Sequence, residues 1–261
     1  MKPTVCILRT DGTNCDEELF YAFQKYGGDP EYVHVNQLRS KDKKLSNFQI
    51  LALPGGFAYG DDVVSGKILA VELMSSLKDQ LQMFLAKKGF ILGVCNGFQV
   101  LVRTGLLPFG HFGQMEATLA QNNSGHLECR WVKLKTEKSK CEFLNGPSEI
   151  IELCVNHGEG RFFASEEIIN EVENQDLVFL RYVDDRGKQT DQYPQNPNGA
   201  VNAIAGICDP SGRIIGLMPH PEKFVDVTQH PNWRRDKSAG RRIKPQGSFI
   251  FEKMIKYVKE I

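Results

Sequence analysis

The chain has 261 residues, 41% of them hydrophobic, which suits one sizeable core, and a single domain over residues 1–261 is expected. Lys plus Arg and Asp plus Glu both number 32, so the formal charge is zero and no electrostatic footprint for nucleic acid or an anionic membrane exists. The seven cysteines are scattered without zinc-type spacing, and no apolar run is long enough to span a bilayer; the expectation is a reducing, cytoplasmic location and no metal site.

Residues 4–8 are a β-branched and apolar run ending at the turn-rich Asp11-Gly12-Thr13-Asn14, and residues 17–26 show helical spacing until Gly27-Gly28 stops them. Strands are expected at 32–35 and 49–53, the latter halted by Pro54-Gly55-Gly56. Residues 68–87 read as one long amphipathic helix, with Leu69, Leu73, Leu77, Leu81 and Leu85 at intervals of four. Residues 90–94 do not alternate, which predicts a strand buried on both faces, and 97–104 form the helix after it. Strands alternating with helices imply parallel pairing with right-handed crossovers. From about Leu127 the rhythm changes to strand-like pieces at 129–134, 150–155, 178–182, 203–208 and 214–218, which extend the sheet with an antiparallel layer. A loop at 191–202, an irregular polar stretch at 228–246 and a last helix at 248–259 complete an α/β chain.

The sharpest local signal is Gly93-Val94-Cys95-Asn96-Gly97, a buried strand delivering Gly-x-Cys-x-Gly directly into a helix. This is the cysteine form of the nucleophile elbow, whose strained turn exposes the thiol above the sheet while the helix N-terminus favours thiolate. Taken alone, the pattern leaves an inert core cysteine at even odds. A second strand runs into Pro219-His220-Pro221-Glu222, which holds a histidine and a carboxylate at the carboxyl edge where open α/β sheets build their sites. There His220 can take the thiol proton while Glu222 fixes its tautomer. Backbone amides after Pro54-Gly55-Gly56-Phe57, together with that of Asn96, can hold an oxyanion, although an ordinary glycine-rich turn is as good a reading of that segment.

With Gln99 completing Gly-x-Cys-x-Gly-x-Gln, the chain resembles the class I (triad) glutamine amidotransferases. Gly12-Thr-Asn-Cys-Asp16, Pro54-Gly-Gly-Phe-Ala-Tyr-Gly-Asp61, Gly105-Leu-Leu-Pro108, His157-Gly-Glu-Gly-Arg161, Asn196-Pro-Asn-Gly199 and Met218-Pro-His-Pro-Glu222 narrow the resemblance to the glutaminase components of purine biosynthesis. The resemblance implies a flavodoxin-like, mostly parallel sheet with helices on both faces and a small antiparallel extension. It makes Cys95 the site of a γ-glutamyl thioester, His220 the base and Glu222 its orienter. Gly56 or Phe57, with Asn96, supplies the oxyanion amides, and Gln99 helps hold the L-glutamine substrate. It further implies a separate synthetase subunit, with or without a small accessory subunit, that carries ATP and Mg. No cofactor is expected in this chain, which has no P-loop. Lys223 stands where the family usually has Arg.

Three features compete. His157-Gly158-Glu159 repeats the His-x-Glu spacing, but its glycines predict a flexible loop at the substrate or partner-facing edge. Cys15 lies near the site edge without an elbow, and a non-catalytic role is expected. Arg234, Arg235, Arg241, Arg242 and Lys244 form a basic segment read as a solvated or protein-docking face. Two alternatives stay open: another elbow-cysteine hydrolase, peptidase or deglycase-like, and a silent regulatory subunit.

Overall fold

Strands and helices alternate from the start of the computed structural model, which describes residues 1–61, 63–241 and 244–261; Arg242 of the basic segment lies outside the described residues. The first run is β1 (Thr4–Arg9), α1 (Asp16–Lys25), β2 (Asp29–His34), α2 (Val35–Arg39), β3 (Ile50–Leu53), α3 (Lys67–Met74), α4 (Lys78–Ala86), β4 (Phe90–Val94) and α5 (Asn96–Arg103). The second run is strand-rich: β5 (Ala117–Ala120), β6 (Glu128–Thr136), β7 (Ile150–His157), β8 (Arg161–Ala164), α6 (Glu166–Asn174), β9 (Val178–Tyr182), β10 (Ile204–Cys208) and β11 (Ile214–Leu217). Helices α7 (Trp233–Ser238) and α8 (Ser248–Glu260) close the chain.

One sheet takes nine of these strands in the order β2-β1-β3-β4-β11-β10-β9-β6-β7. From β2 to β11 every neighbour is parallel, which reproduces the flavodoxin-like order with β11 in the fifth place. Beyond β11 the pairings are antiparallel, and β5 pairs with β8 in a separate ladder. The α/β class read from the sequence is thus the class observed, and the antiparallel extension adds β10, β9, β6 and β7 to the same sheet. The chain moves one way from β1 to β2 and the other way from β3 to β4. Right-handed crossovers therefore put α1 and α3 on opposite faces. Helix α8 returns to pack on α1, where Phe23 and Phe251 meet edge to face at 5.1 Å.

The parallel strands end together at one edge, and the loops after β1, β3, β4 and β11 gather there. Strands β3, β4 and β11 are buried at every residue, as non-alternating apolar runs require when both faces are covered.

The helix expected over 68–87 is two helices. Ser75 Oγ donates to Val71 O at 2.7 Å and Ser76 Oγ to Glu72 O at 3.3 Å, so both hydroxyls compete for the carbonyls that the next turn needs. The leucine stripe survives the break, with Leu73, Leu77 and Leu81 all fully buried. Helix α6, absent from the sequence reading, starts at Ser165, whose side chain accepts from Ile168 N, and it buries Ile169 and Val172. The stretch 228–246 is less irregular than expected, since α7 forms within it; Arg234, Arg235, Arg241 and Lys244 are exposed. No helix among the described residues is long and apolar enough to cross a membrane.

Candidate active site

Cys95 sits between β4 and α5 with φ 51° and ψ −105°, a strained conformation for a residue with a side chain. Its two glycines are required by contact. A Cβ on Gly97 would stand 2.1 Å from Leu53 O at the end of β3, and one on Gly93 would stand 2.7 Å from Gly97 O. The elbow is also tied to β11, the strand that leads to His220, because Cys95 N donates to Leu217 O at 2.8 Å.

His220 is buried and locked on both sides. Its backbone N–H donates to Cys154 O at 2.8 Å, and its Nδ1 lies 2.6 Å from Glu222 Oε1, with both side chains almost wholly buried. A carboxylate at Nδ1 places the ring proton there and leaves Nε2 with a free lone pair. Among the described residues, Nε2 has no hydrogen-bond partner. A Cβ on Gly55 would meet His220 Cε1 at 2.7 Å and Cys95 Cβ at 3.3 Å, so the imidazole and the cysteine flank the same backbone atom. The three side chains singled out in the sequence therefore converge at one sheet edge.

Cys95 Sγ itself lies 3.7 Å from Asn156 O, not hydrogen-bonded to His220. Its titration differs from the sequence expectation. The Asn96 amide at the helix N-terminus lowers the pKa, but desolvation by burial outweighs it and holds the thiol protonated at rest. A base is then needed to form the thiolate, and Nε2 of His220 is the unpartnered one beside it.

These groups line a cleft of about 440 Å³ whose walls include Gly56, Phe57, Cys95, Gln99, His220 and Lys223. The two candidate oxyanion amides differ in their partners. Phe57 N is committed to Gly12 O at 3.0 Å and Asn14 Oδ1 at 3.2 Å, whereas Gly56 N has no acceptor among the described residues. Of the two amides named in the sequence, Gly56 is the one left with Asn96 to meet an oxyanion. Gln99 is in the cleft wall with its amide used by the protein: Oε1 accepts from Asn96 Nδ2 at 3.1 Å and Nε2 donates to Glu159 O at 2.5 Å. It pins the Gly158-Glu159 backbone against α5.

The second His-x-Glu pair is not a pair. His157 ends β7 and is buried, with Nδ1 3.2 Å from Asn122 Oδ1 and Nε2 3.5 Å from Asn198 Nδ2, while no bond joins it to the Glu159 carboxylate among the described residues. The flexible loop read from its glycines is, at His157, a packed wall. Burial, with His220 nearby, pushes the His157 pKa down to about 3. Cys15 also faces the cleft, at the start of α1, with its pKa pushed up to about 12 mainly by burial. Sequence reasoning missed Asn122 altogether, because its partners Gly158, Gly160 and His157 lie 35 to 38 residues further on; Asn198 was visible only inside a quoted motif.

Known proteins resemble this chain over nearly its whole length. The family model described as "CobB/CobQ-like glutamine amidotransferase domain" matches residues 2–258. The chain is 44% identical over 261 residues to "Phosphoribosylformylglycinamidine synthase subunit PurQ" of Dehalococcoides mccartyi, covering 100% of this chain and 99% of that one. It is 42% identical over 245 residues to the protein of the same name in Methanococcus maripaludis strain C5, covering 93% and 91%. Among solved structures it resembles "Structure of PurLQS from Thermotoga maritima" with a TM-score of 0.75 and 30% identity, covering 99% of this chain and 100% of that chain. This chain belongs to the CobB/CobQ-like glutamine amidotransferase family.

Proposed function

We propose that this chain is the glutaminase subunit of phosphoribosylformylglycinamidine synthase, hydrolysing glutamine and passing ammonia to an ATP-dependent synthetase subunit in purine biosynthesis. The observation that carries the reading is the strained Cys95 beside an imidazole whose Nδ1 is held by a buried carboxylate and whose Nε2 is unpartnered. The full-length similarity to PurQ proteins and to the PurLQS structure supports the choice of complex.

In this reading Nε2 of His220 takes the Cys95 proton as sulfur attacks the glutamine carboxamide carbon, and Glu222 stabilises the imidazolium. The amides of Gly56 and Asn96 hold the tetrahedral oxyanion. The carbon–nitrogen bond breaks, His220 returns the proton to the leaving nitrogen, and ammonia departs. Water, deprotonated by His220, then opens the thioester to glutamate and the free thiol. Ammonia released into bulk water would be protonated, so a docked partner that receives it directly preserves the nucleophile. ATP and Mg belong on that partner.

Cys95→Ala should lower glutamine hydrolysis by at least about 10³-fold, the scale of losing a covalent nucleophile, while far-UV circular dichroism stays unchanged. A glutamine-derived electrophile should label Cys95. Full activity in the variant, or label carried on Cys15, overturns the assignment.

A further inference from the structure

We infer that Asn122 is a positioning residue for glutamine hydrolysis, which from outside the cleft fixes the turn 157–160 that walls the nucleophile. The inference rests on the function proposed above.

The sheet alone leaves this turn loose. It joins β7, an edge strand of the nine-stranded sheet, to β8, which belongs to the separate two-stranded ladder, so no single ladder sets its position. It also carries Gly158 and Gly160, and glycine restricts the backbone least. The other connection between the same two ladders runs from β5 to β6, and Asn122 lies in it. This one residue stitches the two connections together. Asn122 N donates to Gly158 O at 2.9 Å, and its Nδ2 donates to His157 O at 2.7 Å and to His126 O at 3.0 Å. Its Oδ1 accepts from Gly160 N at 3.0 Å and from His157 Nδ1, 3.2 Å away. Every hydrogen-bonding position of the side-chain amide is thereby filled. Flipping the amide would turn its oxygen toward two carbonyls and its nitrogen toward the Gly160 N–H, so the fold sets its orientation. At 4% exposure no water stands ready to replace it, and buried carbonyls left without a donor are costly.

The turn and the strand end before it meet the reaction directly. Asn156, His157, Gly158 and Glu159 line the cleft beside Cys95 and His220, whereas Asn122 is not among the described residues that line it. The Cys95 thiol donates to Asn156 O at 3.7 Å, and Gln99, one helical turn after the nucleophile, donates to Glu159 O at 2.5 Å. Gln99 thus ties the turn to α5, and Asn122 ties it to the β5–β6 connection. Without the second tie the wall shifts against the sulfur. Cys95, His220 and the amides of Gly56 and Asn96 stand on other elements, and none of them bonds to Asn122 among the described residues. Losing Asn122 should therefore disturb how glutamine is held more than how its carbon–nitrogen bond is broken.

With the synthetase partner present, Asn122→Ala should raise KM for glutamine at least about tenfold and leave kcat within about threefold of native, less than the roughly 10²-fold that a 1 Å misplacement can cost. Asn122→Asp, of the same size, keeps the acceptor and turns both donated side-chain bonds into repulsions, so it should behave as Asn122→Ala does. Asn123→Ala, whose native side chain bonds Arg161 instead, should match the native chain. Two reagents read at Cys95 by peptide mass spectrometry separate a displaced wall from a damaged fold. A glutamine-derived electrophile should label the Asn122 variants at least about tenfold more slowly than native, while iodoacetamide, which needs no amino-acid wall, should label all within about threefold. Hydrogen exchange at Gly160 should be faster in Asn122→Ala, which reads the hold on the turn without catalysis.

Native KM in both folded Asn122 variants overturns the role. So does a lower kcat with KM unchanged, iodoacetamide labelling altered as much as labelling by the analogue, or unchanged exchange at Gly160. Failure of both variants to fold makes Asn122 purely structural and also overturns it. A native chain without glutaminase activity refutes the proposed function and this role with it, whereas an active native chain with unaltered variants refutes the role alone.

Discussion

Around the cleft, burial decides the charge state of individual side chains. His157 is the clearest case because both of its nitrogens are used by neutral amides, Asn122 on one side and Asn198 on the other, and the residue is buried. Its pKa falls from 6.5 to about 3 in the folded chain. Between those values the unfolded chain holds a proton that the folded chain refuses, so stability is complete above pH 6.5 and drains away as the pH drops toward 3. The slope is at most about 1.4 kcal/mol per pH unit. Urea unfolding from pH 7 to pH 4 should therefore show a shallower acid loss in His157→Gln than in the native chain. Equal slopes would mean that His157 is hydrated or already charged when folded. An imidazole that holds a proton so weakly, with both nitrogens engaged, is a poor rival base. The local segment Pro219-His220-Pro221-Glu222 announced the hydrogen-bonded pair of His220 and Glu222, two residues apart; the neutrality of His157 depends on Asn122 and Asn198, which no local pattern connects to it.

At the scale of elements, the strand-to-helix elbow is the feature that the sequence displayed most fully. Neither Gly93 nor Gly97 has room for a side chain, since a Cβ on the first would meet Gly97 and one on the second would meet Leu53 O. Gly97→Ala should cost about 1 to 3 kcal/mol as an overpacked site. It should lower kcat for glutamine hydrolysis more than it raises KM, because pushing α5 off β3 moves Cys95 and the Asn96 amide from the reacting carbon. A urea midpoint and kinetic constants equal to the native ones would show that the elbow has slack. Other elements were legible only in part. A leucine stripe every four residues specifies a buried face but not continuity, and the hydroxyls of Ser75 and Ser76 break the helix without interrupting the stripe. Helix α6 carried a readable start in Ser165 and two following glutamates, obscured by its short apolar face. The choice between the amides of Gly56 and Phe57 stayed open because the acceptors of Phe57 N, Gly12 O and Asn14 Oδ1, lie more than 40 residues earlier, in the loop after β1. Long-range hydrogen bonds of that kind are set by the fold and leave no trace in composition or spacing.

The whole molecule joins two sheet halves that differ in how they are built, and β11 belongs to both. It pairs in parallel with β4 and antiparallel with β10, and it leads to His220 while anchoring Cys95 through Leu217 O. A chain of this size can unfold in separate units, but here neither half is self-contained. Losing the antiparallel half would turn β11, buried at every residue, into an open edge; losing the parallel half would do the same to β10. Each exposed ladder forfeits backbone hydrogen bonds and the burial of both faces. The two halves should therefore unfold together. Cys6 on β1 and Cys208 on β10 report on them separately, being fully buried free thiols on opposite sides of β11. Across a urea series, the protection of Cys6 and of Cys208 from a thiol reagent should vanish at one midpoint, coincident with far-UV circular dichroism. Two midpoints would show that the nucleophile and its base ride on units that can part, and that the geometry of the cleft is set by their docking.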